Sequence, residues 1–117
     1  MKNIFFLLFI AAGGYAAWNH FHTPKLEPLY DKPYVTVYGR EGCGFTEETV
    51  NRLRRARIEF EYLTVDDQAT ANELHARMKL AGLDTSYYLL PVVDVNNSIS
   101  VRPGNDDLVA RAKALFR

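Results

Sequence analysis

One side chain in this sequence has the chemistry of a nucleophile and a setting that could make it act as one. It is Cys43, in the stretch "YGREGCGFTEETV" from Tyr38 to Val50. No other cysteine is present, so an intrachain disulfide, a C-x-x-C pair and a multi-cysteine metal site are excluded. Any disulfide it forms joins another molecule. A lone cysteine in a small domain is commonly an apolar filler of the core, and that reading competes with a reactive thiol. Position separates the two. Both neighbours, Gly42 and Gly44, are poor company for a packed residue, and the sulfur falls between a strand pattern and a helix pattern. At a helix mouth, free N–H groups and the positive end of the dipole favour the thiolate. Arg40 is placed to supply a cation and Thr46 a hydroxyl donor. Glu47 and Glu48 oppose them as solvent-screened charges.

The elements that must position this loop follow from periodicity. Tyr34 to Tyr38 is a β-branched and aromatic run, a strand. Residues 45–57 put Val50, Leu53 and Ala56 on one side of a helix, with Glu47, Glu48, Arg52 and Arg55 elsewhere. Phe60 to Val65 alternates as a second strand. Asp66 or Asp67 caps a second helix carrying Ala71, Leu74, Met78 and Ala81, which Gly82 ends. Pro91 to Val95 is a third strand, and Asn96-Asn97 turns into a fourth, Ser98 to Val101. "RPGND" then leads into a last helix with Leu108, Ala112, Leu115 and Phe116 on one face. The order β-α-β-α-β-β-α makes the first two strands parallel and the last two antiparallel. An α/β domain follows, with a mixed four-stranded sheet covered by helices on both faces.

The chain's 117 residues, 48% apolar, suit one compact domain. Fourteen basic and 14 acidic residues cancel, so no bulk charge draws the chain to nucleic acid. Residues 1–18, "MKNIFFLLFIAAGGYAAW", differ from the rest: Lys2 is their only charge, and residues 4–18 are apolar or small. This reads as a positive n-region and a hydrophobic core, either a signal anchor or a cleaved signal peptide. A buried N-terminal helix of a cytosolic domain is the competing reading. As a helix, 4–18 spans about 22 Å, short of a ~30 Å hydrocarbon layer. Gly14-Tyr15-Ala16 offers a cleavage site, whereas Trp18 and Phe21 fit a membrane interface. Anchored or exported, the domain is expected outside the cytoplasm, on the periplasmic side. Residues 19–33 hold three prolines and read as a tether to a domain at 34–117. His20 and His22 lack a third ligand nearby and read as polar linker residues.

Three motifs, each on its expected element, resemble glutaredoxins of the thioredoxin superfamily. "CGFT" looks like the CGFS tetrapeptide of monothiol glutaredoxins, with Thr46 in place of serine. "LLPVVDVNN" resembles the superfamily's cis-proline stretch, which makes Leu90-Pro91 a cis bond facing the cysteine. "RPGNDDL" resembles the turn and acidic pair that hold glutathione. The resemblance covers residues 34–117 and implies Cys43 as the nucleophile. It implies Arg40 near the glycyl carboxylate of glutathione and Thr46 at the sulfur, with Leu90 and Pro91 pairing with the cysteinyl backbone. Gly104, Asn105, Asp106 and Asp107 would receive the γ-glutamyl end. The partners implied are glutathione as cosubstrate, protein thiols or disulfides, and a membrane through residues 4–18.

The sequence also departs from the family pattern. Pro103-Gly104 replaces the usual Gly-Gly, Leu90 replaces Thr or Val, and the turn from Pro91 to Gly104 is about two residues longer. The lysine and the tryptophan-proline segment that accompany a bound 2Fe–2S cluster in CGFS proteins are absent. Monothiol exchange or deglutathionylation is therefore the leading expectation. A non-catalytic binding module presenting the Pro91 groove, and an iron–sulfur carrier, are the rivals. The cluster of Arg52, Arg54, Arg55 and Arg57 reads as a solvated helix end, with docking of an acidic partner or lipid headgroups as the alternative. His75 reads as a surface residue. Tyr87 and Tyr88 either flank the site or are ordinary loop aromatics.

Overall fold

The computed structural model describes residues 25–117. The expected apolar helix in residues 1–18, and His20 and His22, lie outside the described residues. Among the described residues, no helix is long and apolar enough to cross a membrane.

The elements run β1 (Val35–Gly39), α1 (Gly44–Arg55), β2 (Glu61–Thr64), α2 (Gln68–Leu80), β3 (Val92–Val95), β4 (Ser98–Val101) and α3 (Asn105–Leu115). The sheet order is β2-β1-β3-β4. β1 and β2 are parallel, as a strand–helix–strand crossover requires, with Thr36 opposite Glu61. β3 lies antiparallel to β1, Val35 opposite Val95, and β4 antiparallel to β3. Asn96 and Asn97 both take positive φ, 49° and 79°, the geometry a two-residue hairpin demands.

Strand alternation sorts the core into two layers. Val35, Val37, Val93 and Val95 face Leu53 of α1 and Leu108 and Ala112 of α3. Tyr38 and Val92 face the other way, against Leu74 and Met78 of α2. The expected last-helix face is trimmed at its end, because Phe116 lies beyond α3 and is 46% exposed. Ala81 is likewise exposed at the α2 terminus, where Gly82 takes φ +77°. There the Leu83 N–H reaches the Met78 carbonyl at 2.8 Å and the Gly82 N–H reaches Lys79 at 3.0 Å, closing a Schellman motif. The same pair of bonds ends α1, but its left-handed residue is Arg57, at φ 57°.

On the α2 side of the sheet sits a buried ion pair that the sequence pattern did not reveal. Arg77 Nη2 meets Asp94 Oδ2 at 2.5 Å, and the Asp94 side chain is fully buried. Asp94 also accepts from the Tyr34 hydroxyl at 2.9 Å and from the Asn97 N–H at 2.8 Å. The network extends into residues read as tether. Arg77 donates to the Glu27 carbonyl at 2.6 Å, and the Asn97 amide donates to the Leu26 carbonyl at 3.0 Å. The Leu29 N–H reaches the Tyr34 hydroxyl at 3.2 Å, and the Tyr30 hydroxyl bonds Glu61. Residues 26–34 are thereby strapped to the domain at the Asn96-Asn97 end of the sheet.

Candidate functional site

β1 delivers the chain to the opposite end of the sheet, where the Cys43 loop begins. The Cys43 N–H bonds the Arg40 carbonyl at 3.2 Å, closing a tight turn whose third residue, Gly42, takes φ +78°. Only glycine enters that region without strain, so Gly42 is fixed by backbone conformation. Cys43 then occupies the N-cap position of α1, extended at φ −86° and ψ 115°, and is half-buried.

At that position the sulfur stands where a capping oxygen would, although no capping bond of normal geometry closes. Its thiol is held below the usual cysteine value. The Thr46 hydroxyl is the main cause and the Thr46 N–H the next; partial burial opposes them. The Phe45 N–H and the positive charge of Arg102 lower it further. Thr46 is buried, and its Oγ1 has no hydrogen-bond partner elsewhere in the described residues. That leaves its proton free for the sulfur. It is held there by a close approach: a Cβ on Gly39 would lie 2.3 Å from Thr46 Cγ2, so Gly39 must lack one.

Arg40, the expected local cation, is already engaged with a carboxylate. Its Nε pairs with Asp66 Oδ1 at 2.9 Å, with both side chains more than half exposed. A second cation, Arg102, which the sequence reading missed, contributes to lowering the Cys43 thiol. Arg102 takes a left-handed φ of 41°, and its N–H bonds the Pro91 carbonyl at 2.7 Å. Its Nε donates to the Leu90 carbonyl at 2.7 Å. Its guanidinium carbon lies 3.8 Å from the centre of the Phe45 ring. One side chain thus joins the start of α1 to the Leu90-Pro91 peptide, which is cis. Leu90 is half-buried, Pro91 is fully buried, and one lone pair of the Leu90 carbonyl is already taken.

The remaining expected site residues gather at the start of α3. Gly104 caps that helix, and open space lies where its Cβ would be. Asn105 Oδ1 accepts from Thr49 Oγ1 of α1 at 2.8 Å. Asp106 pairs with Arg52 of α1 while remaining almost fully exposed, and Asp107 pairs with Arg111 at 2.9 Å. The start of α3 therefore lies against the middle and last turn of α1, tied by Thr49–Asn105 and Arg52–Asp106. Such exposed pairs exchange readily with other charges.

Two loop aromatics are separated by the structure. Tyr88 packs into the α2-side core, and its hydroxyl lies 2.7 Å from His75 Nε2. His75 is accordingly half-buried and bonded, where the sequence reading put it on the surface. Tyr87 is 76% exposed; Phe45 and Leu89 are also exposed. A cavity of about 320 Å³ lies beside the cysteine loop, bordered by Arg40, Gly42, Thr46, Glu47 and Tyr62. A larger one of about 730 Å³ opens near the other end of β1, among Tyr30, Pro33, Phe60 and Phe116.

No family model matches this chain, and no curated protein does. Among solved structures it is similar to a glutaredoxin from Archaeoglobus fulgidus, with 22% sequence identity and a TM-score of 0.53. The match covers 78% of this chain and 96% of that one. A four-stranded mixed sheet, its helices on both faces, the cis-proline before β3 and the cysteine at the mouth of α1 sit in one architecture: this chain has a glutaredoxin-like fold.

Proposed function

We propose that this protein carries out monothiol thiol–disulfide exchange, including deglutathionylation, through Cys43. The observation that carries the reading is the half-buried sulfur at the α1 N-terminus, its acidity raised by Thr46 and Arg102. In the first step the Cys43 thiolate attacks one sulfur of a disulfide. The new S–S bond forms as the old one breaks, and the departing thiolate takes a proton from solvent. A free thiol such as glutathione then attacks the mixed disulfide and returns Cys43 as thiolate. With one cysteine in the chain, the second thiol must come from outside.

Glutathione suits the surroundings chemically. Its backbone can pair with Leu90, before Pro91, and the N–H groups behind Gly104 suit its γ-glutamyl carboxylate. Asn105, Asp106 and Asp107 stand near enough in sequence to meet its amine, Asp106 and Asp107 by exchange with their arginine partners. A 2Fe–2S cluster takes four ligands, and this chain supplies one thiolate, so a cluster would need ligands from glutathione and a second subunit. Residues 1–18 would hold the domain at a membrane or deliver it across one.

The test is exchange with glutathione disulfide, read by mass as the Cys43 mixed disulfide and by its release with free glutathione. Cys43→Ser is expected to abolish both, and activity retained in that variant sinks the reading. A second reading is favoured by the exposed Phe45, Tyr87 and Leu89. A binding module using these apolar side chains and the Pro91 groove would keep its partner after Cys43→Ser.

A further inference from the structure

Arg102 is half-buried and anchored at three points. Its Nε is fixed on the Leu90 carbonyl at 2.7 Å, its backbone on the Pro91 carbonyl at 2.7 Å, and its guanidinium face on Phe45 at 3.8 Å. These contacts use one of five side-chain N–H donors. The four on the two Nη atoms have no partner among the described residues, and no carboxylate there pairs with Arg102. The ion pairs among the described residues use Arg40, Arg52, Arg77 and Arg111. A planar fork held rigid and left unpaired matches a carboxylate bidentately.

We propose that Arg102 is the specificity-determining residue of the Cys43 site, receiving a carboxylate carried next to the reacting sulfur of the substrate. The inference rests on Cys43 as the nucleophile and names the substrate class: disulfides whose cysteine stands beside a free or acidic carboxylate. Glutathionyl disulfides, with a glycyl carboxylate one residue from the sulfur, are one member. Short acidic peptides are another. Arg40 cannot take this role without releasing Asp66. Around the loop and its cavity stand Glu41, Glu47, Tyr62 and one further cation, Arg54, whose guanidinium lies over the Phe60 ring, 5.9 Å from its centre. Attack on such a substrate conserves atoms and electrons: Cys43 Sγ bonds the sulfur nearer the carboxylate, and the distal sulfur leaves as thiolate.

The charge rule is testable without assuming exchange activity. Iodoacetate and iodoacetamide alkylate the same thiolate and differ chiefly in charge, so their rate ratio is independent of the thiol pKa. On the full chain, Arg102→Gln is expected to lower the iodoacetate-to-iodoacetamide ratio by about three- to tenfold. Arg102→Lys should recover part of that loss, keeping the charge without the fork. Lys113→Gln, at an exposed position near the end of α3, serves as the charge control and should leave the ratio unchanged. In the unaltered protein the iodoacetate rate should fall with added salt and the iodoacetamide rate should not. An unchanged ratio in Arg102→Gln, or an equal fall in Arg40→Gln, overturns the proposal. A ratio that depends on Arg102 in a protein that fails to exchange with glutathione disulfide would sink the proposed function and keep this inference.

Discussion

Thr46 rests directly on Gly39: a methyl group added to Gly39 would meet Thr46 Cγ2 at 2.3 Å and Oγ1 at 2.8 Å. The last residue of β1 thereby fixes the hydroxyl that acts on Cys43. Gly39→Ala is expected to force Thr46 out of place, with a loss of stability of about 1–3 kcal/mol from overpacking. Cys43 alkylation should need a higher pH in the same variant. Urea unfolding and the pH profile of alkylation check the two together. An unshifted profile would separate Thr46 from the sulfur.

Thr46→Val removes the hydroxyl and keeps the shape. Because Thr46 Oγ1 is buried without another partner, this change should leave stability within about 1 kcal/mol while raising the Cys43 pKa. The sign carries into stability. A thiol whose folded pKa is depressed adds stability above its unfolded value and loses it as pH falls through the folded value. Unfolding free energy should therefore rise with pH across that window in the unaltered protein. The rise should shrink in Thr46→Val and vanish in Cys43→Ser. A rise that persists in Cys43→Ser belongs to another group.

Asp94→Ala strands Arg77 in the interior and removes the acceptor of Tyr34 and of the Asn97 N–H. Breaking a buried pair on one side costs about 3–5 kcal/mol, a large share of a small domain's stability. The shift is read from the urea midpoint, and limited proteolysis should cut earlier within residues 26–34. A loss under about 1 kcal/mol would mean the pair is wetter than its geometry says.

Arg57 closes α1 in the left-handed region, φ 57°, where a side chain is strained and Gly82 serves the equivalent place after α2. Arg57→Gly is expected to stabilise the fold by about 0.5–1 kcal/mol, measured as a higher midpoint of thermal unfolding. Destabilisation instead would show that the arginine side chain has a role beyond the cap.

Much of this architecture could be read from residue pattern because local and long-range signals agree. The valines of β1 and β3 alternate, Asn96-Asn97 demands a hairpin, and Gly82 stops α2. The cysteine loop was legible for the same reason: its glycines and its place between strand and helix are local facts. Arg102 was not. Its role depends on a positive φ that its residue type does not advertise and on a carbonyl twelve residues earlier. Arg40 was the nearer cation in sequence, but Asp66, 26 positions on, claims it. Arg77 escaped notice because a charged residue between Leu74 and Met78 reads as solvent-facing until Asp94 is seen beneath it.

The strap has a mechanical meaning for anything fastened upstream of it. Leu26 and Glu27 are held at the hairpin end of the sheet, while Cys43 lies past the far end of a five-residue strand. A leash attached before Lys25 therefore takes hold of the domain at its rear. The cysteine would then lie roughly 17 Å of strand beyond the point of attachment. For any such leash, added length would widen the radius the domain sweeps, and bringing the sulfur round to the attachment end would take a pivot of the whole domain.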